Sequence, residues 1–104
     1  MSQKKINVVI AGATGYVGLD LVYYLSKHPK VEISYLCAQR NLGKKINYFD
    51  KRIKKNLPKI TNLKKVDWSS IDLLFLSLPN GEAQKIVKTL YKKTMENSID
   101  LKLN

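Results

Sequence analysis

The stretch VVIAGATGYVGLDLVYYL, residues 8 to 25, begins as one kind of element and ends as another. Ile6 to Ala11 reads Ile-Asn-Val-Val-Ile-Ala, and its β-branched residues favour a pleated backbone. The run is almost continuously apolar, as in a strand of a parallel sheet covered on both faces. Lys4 and Lys5 mark where solvent begins. Past the glycines, Val17, Leu21 and Leu25 recur at helical spacing with Val22 beside them, and Pro29 stops the pattern. A strand therefore passes into a helix through Gly12, Gly15 and Gly18.

Such a junction has a chemical use. Gly12 can take backbone angles closed to other residues. Gly15 has no Cβ, so a bulky anion can reach the backbone. Gly18 lets the helix lie close to the strand. The helix start adds free N–H groups and the positive end of the dipole. Together these features bind the pyrophosphate of a dinucleotide. The spacing here is G-x-x-G-x-x-G, whereas the commoner fingerprint is G-x-G-x-x-G.

Further along, Val31, Ile33, Tyr35 and Cys37 alternate with Glu32, Ser34 and Leu36, which predicts a second strand. Asn41-Leu42-Gly43 reads as a turn. Lys44 to Asn56 fits either a short basic helix or a loop. A short extended piece is expected at Lys59 to Thr61, and a buried strand at Ile71 to Leu78. Pro79-Asn80-Gly81 ends that strand. Glu82 to Lys93 follows as a helix with Ala83, Ile86, Val87 and Leu90 on one face. Another apolar segment begins at Ser98.

The alternation of strands and helices predicts an α/β fold, a Rossmann-type doubly wound parallel sheet left incomplete at the C-terminus. One domain spans residues 1–104. Ligands of such sheets bind past the carboxyl ends of the strands. Gly12 to Gly18, Cys37 to Arg40 and Pro79 to Gly81 fall there. At the end of the second strand an NAD site usually carries an acidic residue for the ribose 2′-hydroxyl. Cys37-Ala38-Gln39-Arg40 has none. Arg40 has the planar fork that suits a 2′-phosphate, which favours NADP.

The chain has 104 residues, 44% of them hydrophobic, enough for one small core. It lacks an apolar run long enough for a membrane span, a secretion signal and a metal-ligating cluster. A single cysteine points to a reducing cytoplasm. The net charge is +11, and nine Lys or Arg lie between Lys44 and Lys65. Tyr48 and Phe49 are the only aromatics of that stretch, and no nucleic-acid motif accompanies it. A solvated basic face is the expectation, with a further part in attracting phosphorylated ligands.

Five motifs, in order, resemble one family. They are Gly12-Ala13-Thr14-Gly15-Tyr16-Val17-Gly18, His28-Pro29-Lys30-Val31-Glu32, Gly43-Lys44-Lys45-Ile46, Leu78-Pro79-Asn80-Gly81 and Ile99-Asp100-Leu101. They look like the N-terminal domain of the N-acetyl-γ-glutamyl-phosphate reductases. The first is shared with aspartate-semialdehyde dehydrogenases. The resemblance implies reduction of an acyl phosphate to a semialdehyde with NADPH, in arginine biosynthesis, through a nucleophilic cysteine and an assisting histidine. It also implies that Gly12, Thr14, Gly15, Tyr16, Val17 and Gly18 hold the pyrophosphate. Arg40 then meets the adenosine end, and Pro79, Asn80 and Gly81 border the nicotinamide side.

The family continues past Ile-Asp-Leu with Ser-Ala-Asp-Phe-Arg, where this chain reads Lys102-Leu103-Asn104. The family's catalytic cysteine and histidine lie in that later part. The expectation is therefore a truncated cofactor domain, inactive alone, whose catalytic domain is supplied by a missing segment or second chain. The full-length form is expected to be a homo-oligomer. Cys37 reads as a small core residue, and Trp68 as packing. His28 reads as a residue of the helix C-terminus whose imidazolium suits the dipole. Tyr16 either packs on the cofactor or covers the helix start. The alternatives are an aspartate-semialdehyde-dehydrogenase-like cofactor domain, a standalone NADP-binding module, and a basic nucleic-acid binder.

Overall fold

The computed structural model describes residues 5–77 and 100–103. Strand β1, Ile6–Ala11, leads into helix α1, Tyr16–Ser26, and strand β2 follows at Val31–Cys37. Strand β3 is Ile60–Thr61, β4 is Leu73–Leu76 and β5 is Asp100–Leu103. All pairings are parallel, and the order across the sheet is β3-β2-β1-β4-β5. That is the doubly wound order, with its direction reversing between β1 and β4.

Both faces of the sheet are covered. Val8, Ile10, Ile33 and Leu36 point to the face where α1 lies, joined by Val22. Ile46, Ile53 and Leu57 from the β2–β3 crossover, with Ile60 of β3, complete that cluster. Val9, Ala11, Cys37, Leu74 and Leu76 point the other way, onto Val66, Trp68 and Ile71 of the β3–β4 connection. Trp68 is packing, as the sequence suggested. Each fully buried side chain of this size contributes about 1.5–3 kcal/mol.

Two expectations of side-chain direction fail. In β2 the pairing jumps from Val8↔Ile33 to Val9↔Tyr35, leaving Ser34 as an extra residue. One extra residue turns every later side chain to the opposite face. Leu36 is thus fully buried beside Ile33, while Tyr35 and Cys37 serve the second cluster. In α1 the buried positions are Gly18 and Val22, and Val17 is exposed. The close approach of Gly18 to the turn sets the helix's rotation, which carries Val17 outward.

The crossover from Lys44 to Asn56 is mostly loop with a single 3-10 turn, Ile46–Tyr48. Its polar side chains hold it. Asn47 Nδ2 donates to the carbonyls of Ile53 at 2.7 Å and Lys55 at 3.1 Å. The Arg52 guanidinium meets Asp50 and, from α1, Asp20, each at 2.7 Å, and lies 4.5 Å from the Tyr23 ring centroid. The β3–β4 connection is likewise two 3-10 turns, Leu63–Lys65 and Trp68–Ser70, capped by the side chains of Asn62 and Asp67. Strand β4 is shorter than the expected Ile71 to Leu78. Asp72 lies before it, donating its N–H to the Asn7 carbonyl and accepting the Asn7 N–H on its carboxylate. The expected helix over Glu82 to Lys93 lies outside the described residues.

Candidate functional site

The glycine junction sits at the carboxyl end of β1. Gly12 has φ 79°, the left-handed region closed to most side chains. Its N–H and that of Ala13 both donate to the Cys37 carbonyl, at 2.9 and 3.1 Å. The turn is thereby tied to the end of β2. The Gly15 N–H donates back to the Gly12 carbonyl at 3.2 Å. Leu19 N–H then makes the first intrahelical bond, to the Gly15 carbonyl at 2.8 Å.

The three glycines have different duties. A Cβ on Gly18 would lie 1.9 Å from the Gly12 carbonyl oxygen and 2.8 Å from its carbon. No side chain fits there, so Gly18 is required by the fold. A Cβ on Gly15 would meet only the Gly12 oxygen, at 3.6 Å, an ordinary contact. Gly15 also has φ −76°, available to any residue, and is exposed. Nothing among the described residues requires glycine there. The backbone at Gly15 is therefore open to an approaching group.

The helix start has the matching donors. Gly15 is the N-cap and offers no capping side chain. The N–H groups of Thr14, Tyr16 and Val17 have no hydrogen-bond acceptor among the described residues. Unpaired donors at the positive end of a helix favour an anion. Tyr16 is 95% exposed, so its ring does not cover the helix start.

The end of β2 forms the adjoining wall. Ala38 N–H donates to the Thr61 carbonyl and Gly43 N–H to that of Ile60, which fixes the loop between them on β3. Asn41, φ 64°, and Gly43, φ 85°, make the turn that the sequence indicated. Arg40 projects from this loop, exposed and without an ion pair among the described residues. Gln39 precedes it, and no carboxylate stands at this strand end. Pro79, Asn80 and Gly81 lie outside the described residues.

Neither titratable candidate for chemistry is in place. Cys37 is buried, and that burial pushes its thiol up to about 12, away from the reactive thiolate. His28 lies just past α1, at the amino end of β2, across the sheet from the glycine turn. Its Nδ1 accepts the Lys30 N–H at 3.1 Å, which closes a turn. Among the described residues no group of His, Cys, Asp or Glu could hold a metal, and no helix is long and apolar enough to cross a membrane.

Residues 7–103 match the family model described as semialdehyde dehydrogenase, NAD binding domain. The chain belongs to that family. Semialdehyde dehydrogenases are oxidoreductases, and this is their nucleotide-binding part. The chain is 38% identical over 91 residues to an N-acetyl-γ-glutamyl-phosphate reductase of Ehrlichia ruminantium, covering 86% of this chain and 26% of that one. With the enzyme of the same name from Rhodospirillum rubrum it shares 39% over 88 residues, 84% of this chain and 25% of that one. The chain thus spans about a quarter of the length of these curated relatives. Among solved structures, an aspartate semialdehyde dehydrogenase with NADP from Candida albicans superposes with TM-score 0.68 at 24% identity, over 97% of this chain and 30% of that one. At that identity the likeness concerns the fold: the Rossmann-like parallel sheet of a semialdehyde dehydrogenase.

Proposed function

We propose that this chain is the NADP(H)-binding domain of an N-acetyl-γ-glutamyl-phosphate reductase, an enzyme that reduces an acyl phosphate to a semialdehyde. The observation that carries the reading is the junction from Gly12 to Gly18. A left-handed glycine, a bare Gly15 and three unpaired N–H groups converge there, at the reversal of strand order. The identity with reductases of that name supports the choice within the family.

The pyrophosphate rests against Gly12, Thr14, Gly15, Tyr16, Val17 and Gly18, with the free N–H groups donating to its oxygens. Arg40 takes the 2′-phosphate. Pro79, Asn80 and Gly81 border the nicotinamide side. The cofactor supplies a hydride, and this chain binds and orients it. The nucleophile and the proton-transfer group come from the remainder of a longer reductase or from a second chain. The only cysteine here is buried, and the only histidine lies at the wrong end of the sheet. The compartment that goes with a reduced, buried Cys37 is the cytoplasm, and the assembled enzyme is a homo-oligomer.

Calorimetric titration of the chain with NADPH and NADH tests the cofactor assignment. A hydrogen bond to a charged group is worth about 1.5–3 kcal/mol, so Arg40→Ala should weaken NADPH about tenfold or more. NADH binding should hardly change. Equal losses for both cofactors would remove Arg40 from the 2′-phosphate.

A further inference from the structure

The lysines between Lys44 and Lys65 are unlike the other charges of the chain. This stretch has nine Lys or Arg and one carboxylate, Asp50. Asp50 is taken by Arg52, the two joined by hydrogen bonds from Arg52 Nε and Nη2. The lysines that remain are exposed, and none has an ion pair among the described residues.

Several of them surround the Arg40 loop. Lys44 N–H donates to the Asn41 carbonyl at 3.2 Å, and its own carbonyl accepts from Ile60 at 2.9 Å. Lys59 therefore stands beside Lys44 at the base of the loop. Lys64 and Lys65 occupy the 3-10 turn after β3, whose last residue, Thr61, accepts the Ala38 N–H. Lys44, Lys64 and Lys65 thus gather near the carboxyl ends of β2 and β3, with Lys59 just before the two-residue β3 that pairs with the last residues of β2, on the side from which the adenosine end of a dinucleotide arrives. At the amino end of β2 lie Lys27 and Lys30, and Lys5 is paired with Glu32 at 3.7 Å.

Resting on the NADP(H) reading above, we infer that this lysine collar steers the phosphorylated cofactor to its site and sets the association rate without contacting it once bound. Exposed charges a few ångströms to a Debye length away attract an anion during approach, over about 10 Å at 0.1 M salt. Charge-focused association raises on-rates by roughly 10- to 1,000-fold and falls steeply with ionic strength. Such groups change the rate of arrival and leave the rate of departure to the contacts of the site itself. NADPH carries one phosphate more than NADH, so the collar also favours NADPH kinetically, before Arg40 touches it.

The experiment is stopped-flow binding of NADPH and NADH to the full 104-residue chain at low and high salt. Lys59→Gln with Lys64→Gln removes two charges from the collar. Lys27→Gln with Lys30→Gln removes two from the opposite end, and circular dichroism verifies both folds. Steering requires that the collar pair lower the NADPH on-rate about threefold or more at low salt, with the off-rate unchanged. The loss should be smaller for NADH, vanish at high salt and be absent in the opposite-end pair. An unchanged on-rate, an equal effect of both pairs, or a raised off-rate overturns the inference. Binding of neither cofactor to the wild-type chain would instead refute the NADP(H) reading beneath it.

Discussion

Gly15 and Gly18 carry different expectations in the sequence, and the structure gives the distances that separate them. Gly18→Ala would drive a methyl to within 1.9 Å of the Gly12 carbonyl oxygen, so the helix must shift or the turn must open. Gly15→Ala adds a methyl at an ordinary 3.6 Å contact. The expected outcome is a melting curve near wild type for Gly15→Ala with NADPH affinity lost, and a markedly lower Tm for Gly18→Ala. A Gly15→Ala protein that folds and binds normally would move the pyrophosphate elsewhere. Cys37 gives a pH prediction at the same scale. Its thiol titrates near 12 in the fold against an ordinary value of 9.0, so the folded state holds its proton longer than the unfolded chain does. Stability is therefore complete below about pH 9 and declines as pH rises toward 12. Denaturant titrations of wild type and Cys37→Ala in that window check it: the wild type should lose more. The sequence marked all three glycines and Cys37. It assigned Gly15 to an approaching anion and Gly18 to close packing; the size of the difference depends on where the Gly12 carbonyl points, which only the fold shows.

At the scale of elements, β1 and the helical stretch after it were legible because β-branched runs and i, i+4 spacing reflect the local backbone. The bulge in β2 was not. Its one trace is Tyr35-Leu36-Cys37, three large or apolar residues in a row, where strict alternation has room for two on one face. The crossover was illegible for another reason. It is held by contacts across the fold, and Arg52 is their centre: its guanidinium joins Asp50 and Asp20 and lies over Tyr23. Removing it should free the crossover from α1. Arg52→Ala is expected to lower Tm by a few degrees, the scale of a partly exposed network. The Asp50 carboxyl is held below its ordinary 3.8, first by its hydrogen bond from the Arg52 side chain. A carboxylate lowered in the fold stabilises above its unfolded value and stops doing so as it is protonated. The gap in Tm between wild type and Arg52→Ala should therefore close below about pH 4. A gap independent of pH there would mean that Arg52 acts through its packing on Tyr23 alone.

For the molecule as a whole, parallel strands and a switch point bring distant loops to one edge, and that gathering has a functional limit. The glycine turn, the Arg40 loop and the lysine collar lie at the carboxyl ends of the strands. On the proposed reading they would supply donors, a fork and a field for an anionic cofactor. The doubly wound order that assembles them was expected from the alternation of strands and helices, while the register that pairs β1 with β4 is fixed by packing across more than sixty residues of chain. What the chain can bind and what it can catalyse then differ. Acyl-phosphate reduction by covalent catalysis needs a thiolate beside the hydride donor. The only thiol belongs to Cys37, within the apolar cluster of Val9, Trp68 and Leu74, where the thiolate is disfavoured. The 104-residue chain should therefore bind NADPH and show no turnover. Two assays check this: NADPH oxidation with N-acetyl-γ-glutamyl phosphate, and NADP reduction with the semialdehyde and phosphate. Mixing with a separately expressed catalytic domain of a relative offers the positive arm, since a competent cofactor half has something to complement. Turnover by the chain alone that disappears in Cys37→Ser would show that the buried thiol reaches the cofactor, and the separation of binding from chemistry argued from its burial would not stand.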